Sequence, residues 1–203
     1  MFLFINTSLV TGGVTGVIGD LSNRSINWNI LHVGGSGDGN YTKIQDAVDN
    51  ASDGDIIFVY DDSSPYYENI DIDKSISLIG ENGDTTIIDG NKSGDVVKIT
   101  ANGVTLSGFT IQNSGEEKFD FGVEIQSDYN KILGNSIKNN GGLKGWICGG
   151  IFLMNSSHNE IGENFIYLNY REGIYMDKGD YNNIHNNTIH ENDYFAIIVN
   201  ASS

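Results

Sequence analysis

The sequence predicts an all-β fold: a right-handed, single-stranded parallel β-helix, closed at its start by a short α-helix. Three observations predict it. An eight-residue segment recurs at solenoid spacing, a short alternating apolar segment accompanies each copy, and these apolar runs are too short and too rich in Ile and Val for helices.

The recurring segment is Asn130-Lys131-Ile132-Leu133-Gly134-Asn135-Ser136-Ile137. It is matched by Asn159-Glu160-Ile161-Gly162-Glu163-Asn164-Phe165-Ile166 and by Asn182-Asn183-Ile184-His185-Asn186-Asn187-Thr188-Ile189. Residues 104–111 form an earlier copy with fewer Asn. The steps of 26, 29 and 23 residues lie within the period of about 20–50 residues that marks stacked repeats. Each coil carries a second strand, read from residues 97–99, 123–125, 151–153, 174–176 and 197–199, with apolar residues on both sides of a central position. One coil cannot bury its own apolar face, so the coils must stack and the core becomes a column.

The aligned column Asn135, Asn164 and Asn187 predicts a structural ladder. Asn tolerates left-handed backbone at a corner, and a stacked amide hydrogen-bonds to the next coil. Asn139, Asn169 and Asn192 are expected to act in the same way one corner further on.

Upstream, Ile44, Ala47, Val48 and Ala51 recur at helical spacing over residues 42–51, ahead of an apolar strand over 56–60. A helix there would cap the first coil and hide its open edge. The chain thus divides into an N-terminal appendage, 1–30, and a β-helix domain, 31–203. Met1 to Ile5 reads as a retained apolar strand. The strand 196–199 carries no cap, so either the natural chain continues beyond it or another subunit covers it. In the second case Phe2 to Ile5 is expected to pair with the open end of another copy, giving a homo-oligomer or head-to-tail homopolymer.

Lys and Arg number 11 against 27 Asp and Glu, a net charge of −16. Such a surface repels phosphate backbones and argues against nucleic acid and anionic membranes as partners. No segment is long enough to span a bilayer. The single cysteine, Cys148, excludes an internal disulfide and is expected to be a small buried residue. Eight Asn-x-Ser/Thr sequons, at Asn6, Asn23, Asn40, Asn50, Asn91, Asn155, Asn186 and Asn200, point to a glycosylated exterior and an extracellular or cell-surface location.

Tyr41-Thr42-Lys43-Ile44-Gln45-Asp46-Ala47, Tyr66-Tyr67-Glu68-Asn69-Ile70, Leu78-Ile79-Gly80-Glu81-Asn82 and Ile87-Ile88-Asp89-Gly90 resemble the start of the pectin-lyase-like, NosD-type β-helix proteins of archaeal and bacterial cell surfaces. The resemblance covers roughly residues 31–203 and implies the fold. It leaves function open, because that superfamily includes polysaccharide lyases, hydrolases, epimerases, adhesins and surface proteins without activity.

A lyase or hydrolase on this scaffold needs acids gathered on one exposed strand face. The outward column of the second strand instead reads Lys98, Glu124, Phe152, Tyr175 and Ile198, a single acid beside a lysine. No catalytic residue is assigned. The apolar part, Phe152, Tyr175 and Ile198, is expected to lie under loops, to meet another subunit or, with Tyr167, to stack on a glycan. Copper, suggested by the NosD resemblance, needs converging His or Met side chains. His158, His185 and His190 fall in three different columns, and Met154 and Met176 in two, so no metal site and no cofactor is expected from them. The turn at residues 34–40, Gly-Gly-Ser-Gly-Asp-Gly-Asn, is the one place where calcium is considered. The leading expectation is a non-catalytic structural or adhesive surface protein. The alternatives are a polysaccharide lyase or hydrolase with its site near residues 66–69 or 116–120, and a carbohydrate-binding module.

Overall fold

The computed structural model describes residues 28–143 and 147–200. The proposed apolar strand at Met1 to Ile5 and the sequons Asn6 and Asn23 lie outside the described residues.

The chain is a parallel β-helix whose coils, after a first described coil that gives one strand and the helix, each contribute one strand to each of three sheets. Sheet A stacks Ile30–Val33, Ile56–Val59, Ser77–Gly80, Thr105–Ser107, Lys131–Leu133, Glu160–Gly162 and Asn183–His185. Sheet B stacks Tyr66–Tyr67, Ile87–Asp89, Thr110–Gln112, Ser136–Lys138, Phe165–Tyr167 and Thr188–His190. Sheet C stacks Ile70–Ile72, Val97–Ile99, Phe121–Ile125, Gly149–Met154, Glu172–Asp177 and Ile197–Asn200. Every pairing is parallel and in register. The eight-residue repeat is therefore two strands with a corner between them, and the second strand of the sequence pattern is the third of each coil.

The period-2 alternation decides which residues enter the tube. In sheet A, Ile57, Leu78, Leu106, Ile132, Ile161 and Ile184 lie one above another. Sheet B gives Tyr66, Ile88, Ile111, Ile137, Ile166 and Ile189. Sheet C gives two such columns, one of them Ile70, Val97, Val123, Ile151 and Ile174. All of these are buried except Ile184 and Ile189, which are half-buried. Burying each Ile stabilises the tube by about 1.5–3 kcal/mol.

Three corners carry Asn ladders. Asn130, Asn159 and Asn182 line one, Asn135, Asn164 and Asn187 the next, and Asn140, Asn169 and Asn192 the third. The third ladder uses Asn140 where the sequence suggested Asn139. The left-handed residue at each corner is also not the ladder Asn but its predecessor: Gly134, Glu163 and Asn186 before the second ladder, Asn139, Leu168 and Glu191 before the third. The predecessor turns the chain, which leaves the next side chain pointing inward beneath the corner, where its amide reaches both neighbouring coils.

A helix, Ile44–Asn50, covers the first coil with Ile44, Ala47 and Val48 buried. Lys43 precedes it without a side-chain cap. The following coil supplies both ends. The Glu68 carboxylate accepts the Ile44 and Gln45 N–H groups at 2.9 and 3.0 Å, and the Lys74 ammonium donates to the Val48 and Asp49 carbonyls at 2.9 and 2.7 Å. An anion at the N-terminus and a cation at the C-terminus satisfy orphan backbone groups and oppose the helix dipole.

Candidate binding face on sheet C

The outward column of sheet C runs Asp71, Lys98, Glu124, Phe152, Tyr175 and Ile198. It changes character halfway along. Lys98, Glu124 and their neighbours form a charged half. The Lys98 ammonium lies 2.9 Å from Glu124 Oε2, and the Gln126 amide donates to Glu124 Oε1 at 3.0 Å. Glu124 is only 4% exposed.

Asp95, just before the strand Val97–Ile99, joins this group by hydrogen-bonding to Glu124. Its Oδ1 also accepts the Phe121 N–H at 2.7 Å, which ties it to the next coil. Burial first, and then the hydrogen bond with Glu124, push the Asp95 carboxyl up to about 8. For Glu124, burial works against the charge, but hydrogen bonds from Asp95, Lys98 and Gln126 outweigh it and hold its carboxyl below the usual range. One proton thus sits between the two acids and stays mainly with Asp95. The hydrogen bond to Glu124, followed by a counteracting burial cost, leaves the Lys98 ammonium harder to deprotonate than usual.

The other half is aromatic. Phe152 is 2% exposed, because the rings of Phe121 and Phe119 stack on it at centroid distances of 4.9 and 6.0 Å. Phe152 is thus covered by one ring from a strand, Phe121, and one from the preceding loop, Phe119. Tyr175 packs on Phe152 from the other side at 5.4 Å and stays half-buried, as does Ile198. Phe119 is 41% exposed, with the Lys118 ammonium 4.4 Å above its ring. The rings that a ligand can reach are thus Phe119 and Tyr175.

Tyr167 stands apart, on sheet B, stacked on His190 at 5.4 Å and beneath Lys138. The residues suggested for catalysis are mostly structural. Glu68 caps the helix, and the buried Tyr66 hydroxyl donates to the Tyr60 carbonyl at 2.7 Å. Asn69 donates to the Ser93 and Asp95 carbonyls, Glu116 pairs with Lys92 at 3.3 Å, and the Asp120 carboxylate accepts the Glu117 N–H at 2.8 Å. Asp95 and Phe119 escaped the sequence pattern because both sit in loops, outside the aligned strands. The one available signal was that Asp95 precedes Val97 by the same interval by which Phe121 precedes Val123.

The three stacked parallel sheets define a parallel β-helix protein. The sequence model of the family described as "Periplasmic copper-binding protein (NosD)" matches residues 48–203, and the chain belongs to that family. Among solved structures, a pectin methylesterase from carrot is similar at 18% identity and a TM-score of 0.47, over 79% of this chain and 65% of the carrot chain. This chain thus spans just under two thirds of the carrot enzyme. No curated protein matches.

The described residues do not fit a copper centre. No group of three or more His, Cys, Asp or Glu is placed to hold a metal among them. His158 is sandwiched between Tyr129 and Tyr181, and His185 faces Glu160 at 3.0 Å. His190 lies on Tyr167, and the Cys148 thiol is buried against the Gly142 and Tyr170 carbonyls. Met176 lies against the core while Met154 is exposed. In the turn at 34–40, considered for calcium, the Gly34 and Gly37 carbonyls accept hydrogen bonds from Asn40.

Proposed function

We propose that this chain is a surface or periplasmic β-helix module that binds an extended saccharide along the outward face of sheet C without cleaving it, and so acts as a structural or adhesive element. The observation that carries this reading is the juxtaposition, on one wall, of the reachable rings of Phe119 and Tyr175 with the polar groups of Lys98 and Asp71. Aromatic faces stack on the C–H faces of sugars, and the flanking charges hydrogen-bond hydroxyls. Consecutive coils repeat along the tube as sugar units repeat along a chain.

The acid pair supports binding in preference to cleavage. Glycoside hydrolases hold their two carboxyls about 5–9.5 Å apart so that a sugar bond and a water fit between them. Asp95 and Glu124 are hydrogen-bonded to each other, and Glu124 is buried and locked by Lys98 and Gln126. The exposed Asn91, Asn155 and Asn186 are suited to carry glycans, in keeping with a surface location. No helix among the described residues is long and apolar enough to cross a membrane.

A glycan array probed with the wild-type chain and with Tyr175→Ala tests the reading. Binding to linear polysaccharides that falls at least tenfold in the variant, about 1.4 kcal/mol, supports it. Incubation with acidic and neutral polysaccharides should release no reducing ends and no unsaturated products. Turnover that is lost in Asp95→Asn would replace binding by acid–base catalysis at the same wall.

A further inference from the structure

A second site lies at the first described coil, on the outward side of sheet A. His32, Tyr60, Asp62, Asn40 and the turn at 35–37 line a half-open cavity of about 490 Å³, within the span of about 300–1,000 Å³ typical of small-molecule sites. We propose that this cavity binds a single sugar ring or the end of a saccharide, independently of the sheet C wall.

The cavity is built and not incidental. His32 stands on the first strand, stacked on Tyr60 at 5.8 Å and 22° and braced edge-on by Phe58 at 6.3 Å. Gly34 and Gly35 both take positive φ, 75° and 71°, which folds the turn back over these rings. A Cβ at Gly35 would lie 2.8 Å from the Tyr60 ring, so only glycine lets the turn close there. The Gly35 N–H is fastened to Asp62 Oδ1 at 2.9 Å, and the Asn40 amide to the Gly34 carbonyl at 2.6 Å.

One polar atom is left over. His32 Nδ1 is buried beneath the cavity wall and has no hydrogen-bond partner, so a bound molecule meets the outer part of the imidazole and not this nitrogen. The lining also selects the ligand class. It mixes two ring walls with hydroxyl, amide and carboxylate groups, the pattern that suits the C–H and hydroxyl faces of a pyranose. Asp62 is the lone charged group of the lining, with no Lys or Arg, so an anion is disfavoured. Asp62 Oδ1 already accepts from Gly35 and from the Ser63 hydroxyl, the Gly34 and Gly37 carbonyls accept from Asn40, and Asp62 is the only carboxylate of the lining, which disfavours a cation.

Saturation-transfer NMR on the full chain with glucose, galactose, mannose and N-acetylglucosamine tests this. At least one of the four should receive saturation. The signal should drop about tenfold in Ser36→Trp, which blocks the exposed mouth, and should persist in Tyr175→Ala. No transfer to any of the four, transfer that survives Ser36→Trp, or loss in Tyr175→Ala would overturn the proposal. The last outcome would assign the sugar to sheet C, so the two sites stand or fall separately.

Discussion

Asn164 Oδ1 accepts the backbone N–H of Asn135 at 2.9 Å, while the Asn164 amide donates to the Ile132 carbonyl at 2.8 Å. One side chain thus pairs two buried backbone groups of the preceding coil at the point where that coil turns a corner and its sheet hydrogen bonds lapse. Asn187 repeats the arrangement beneath Asn164, with bonds of 3.0 Å to its N–H and 2.7 Å to the Ile161 carbonyl. Each rung therefore fixes the one before it.

Replacing Asn164 by Ala leaves the Asn135 N–H and the Ile132 carbonyl without these partners. Each buried unpaired group costs about 1–3 kcal/mol, so the variant is expected to lose about 2–4 kcal/mol of stability. Asn187→Ala, at a half-buried position, should lose less. Urea unfolding midpoints measure both, and equal losses would refute the ranking.

Phe152→Ala should cost about 3–5 kcal/mol, because the ring is wedged between Phe119, Phe121 and Tyr175 and its loss leaves a cavity. Tyr175→Ala, at the half-exposed edge of the same stack, should cost less than half as much. The contrast separates a packing residue from a contact residue, and thermal unfolding of the two variants reads it.

The acid pair makes stability depend on pH. The folded Asp95 carboxyl titrates near 8 against an ordinary 3.8, so between those values the folded chain holds more protons than the unfolded one. Stability from this group is full below about 4 and is lost as pH rises toward 8. Glu124, held below its ordinary range, acts oppositely and loses its contribution only in acid. The wild-type urea midpoint is expected to fall between pH 5 and pH 9, and Asp95→Asn should flatten that fall. A decline of the same size in the variant would place the effect elsewhere.

In a host that glycosylates Asn-x-Ser/Thr sites, Asn91→Gln should lower the mass of the secreted chain by one glycan. Asn40→Gln should not, since the Asn40 amide is held by the Gly34 carbonyl inside the first-coil turn. Intact-protein mass spectrometry distinguishes the two.

The tube was readable from sequence because its determinants repeat. Ile132, Ile161 and Ile184 sit at one place in three copies, and the ladder residues recur five positions apart, from Asn130 to Asn135 to Asn140. Even there, the left-handed turn fell on Gly134 and Glu163, not on the Asn that follows, because a conserved side-chain role and a conserved backbone angle leave the same trace in a repeat. The walls were less readable. Asp95 meets Glu124, and Phe119 covers Phe152, through loops whose lengths differ from coil to coil, so no column of the repeat contains them. Glu68 and Lys74 cap the helix from a later coil, a pairing that no local capping signal announces. His32 and Tyr60 precede the repeats that align, so the pocket between them had no pattern to mark it.

Amide hydrogen exchange, resolved by NMR, tests the stacked-coil account most directly. The backbone amides of Asn135 and Asn164 should exchange as slowly as those of the buried strand residues Ile132 and Ile161, because their acceptors are side-chain oxygens of the next coil. In Asn164→Ala the Asn135 amide alone should become fast. Rapid exchange at Asn135 in the wild type, comparable with the exposed Asp38, or an Asn135 rate untouched by Asn164→Ala, would contradict the account.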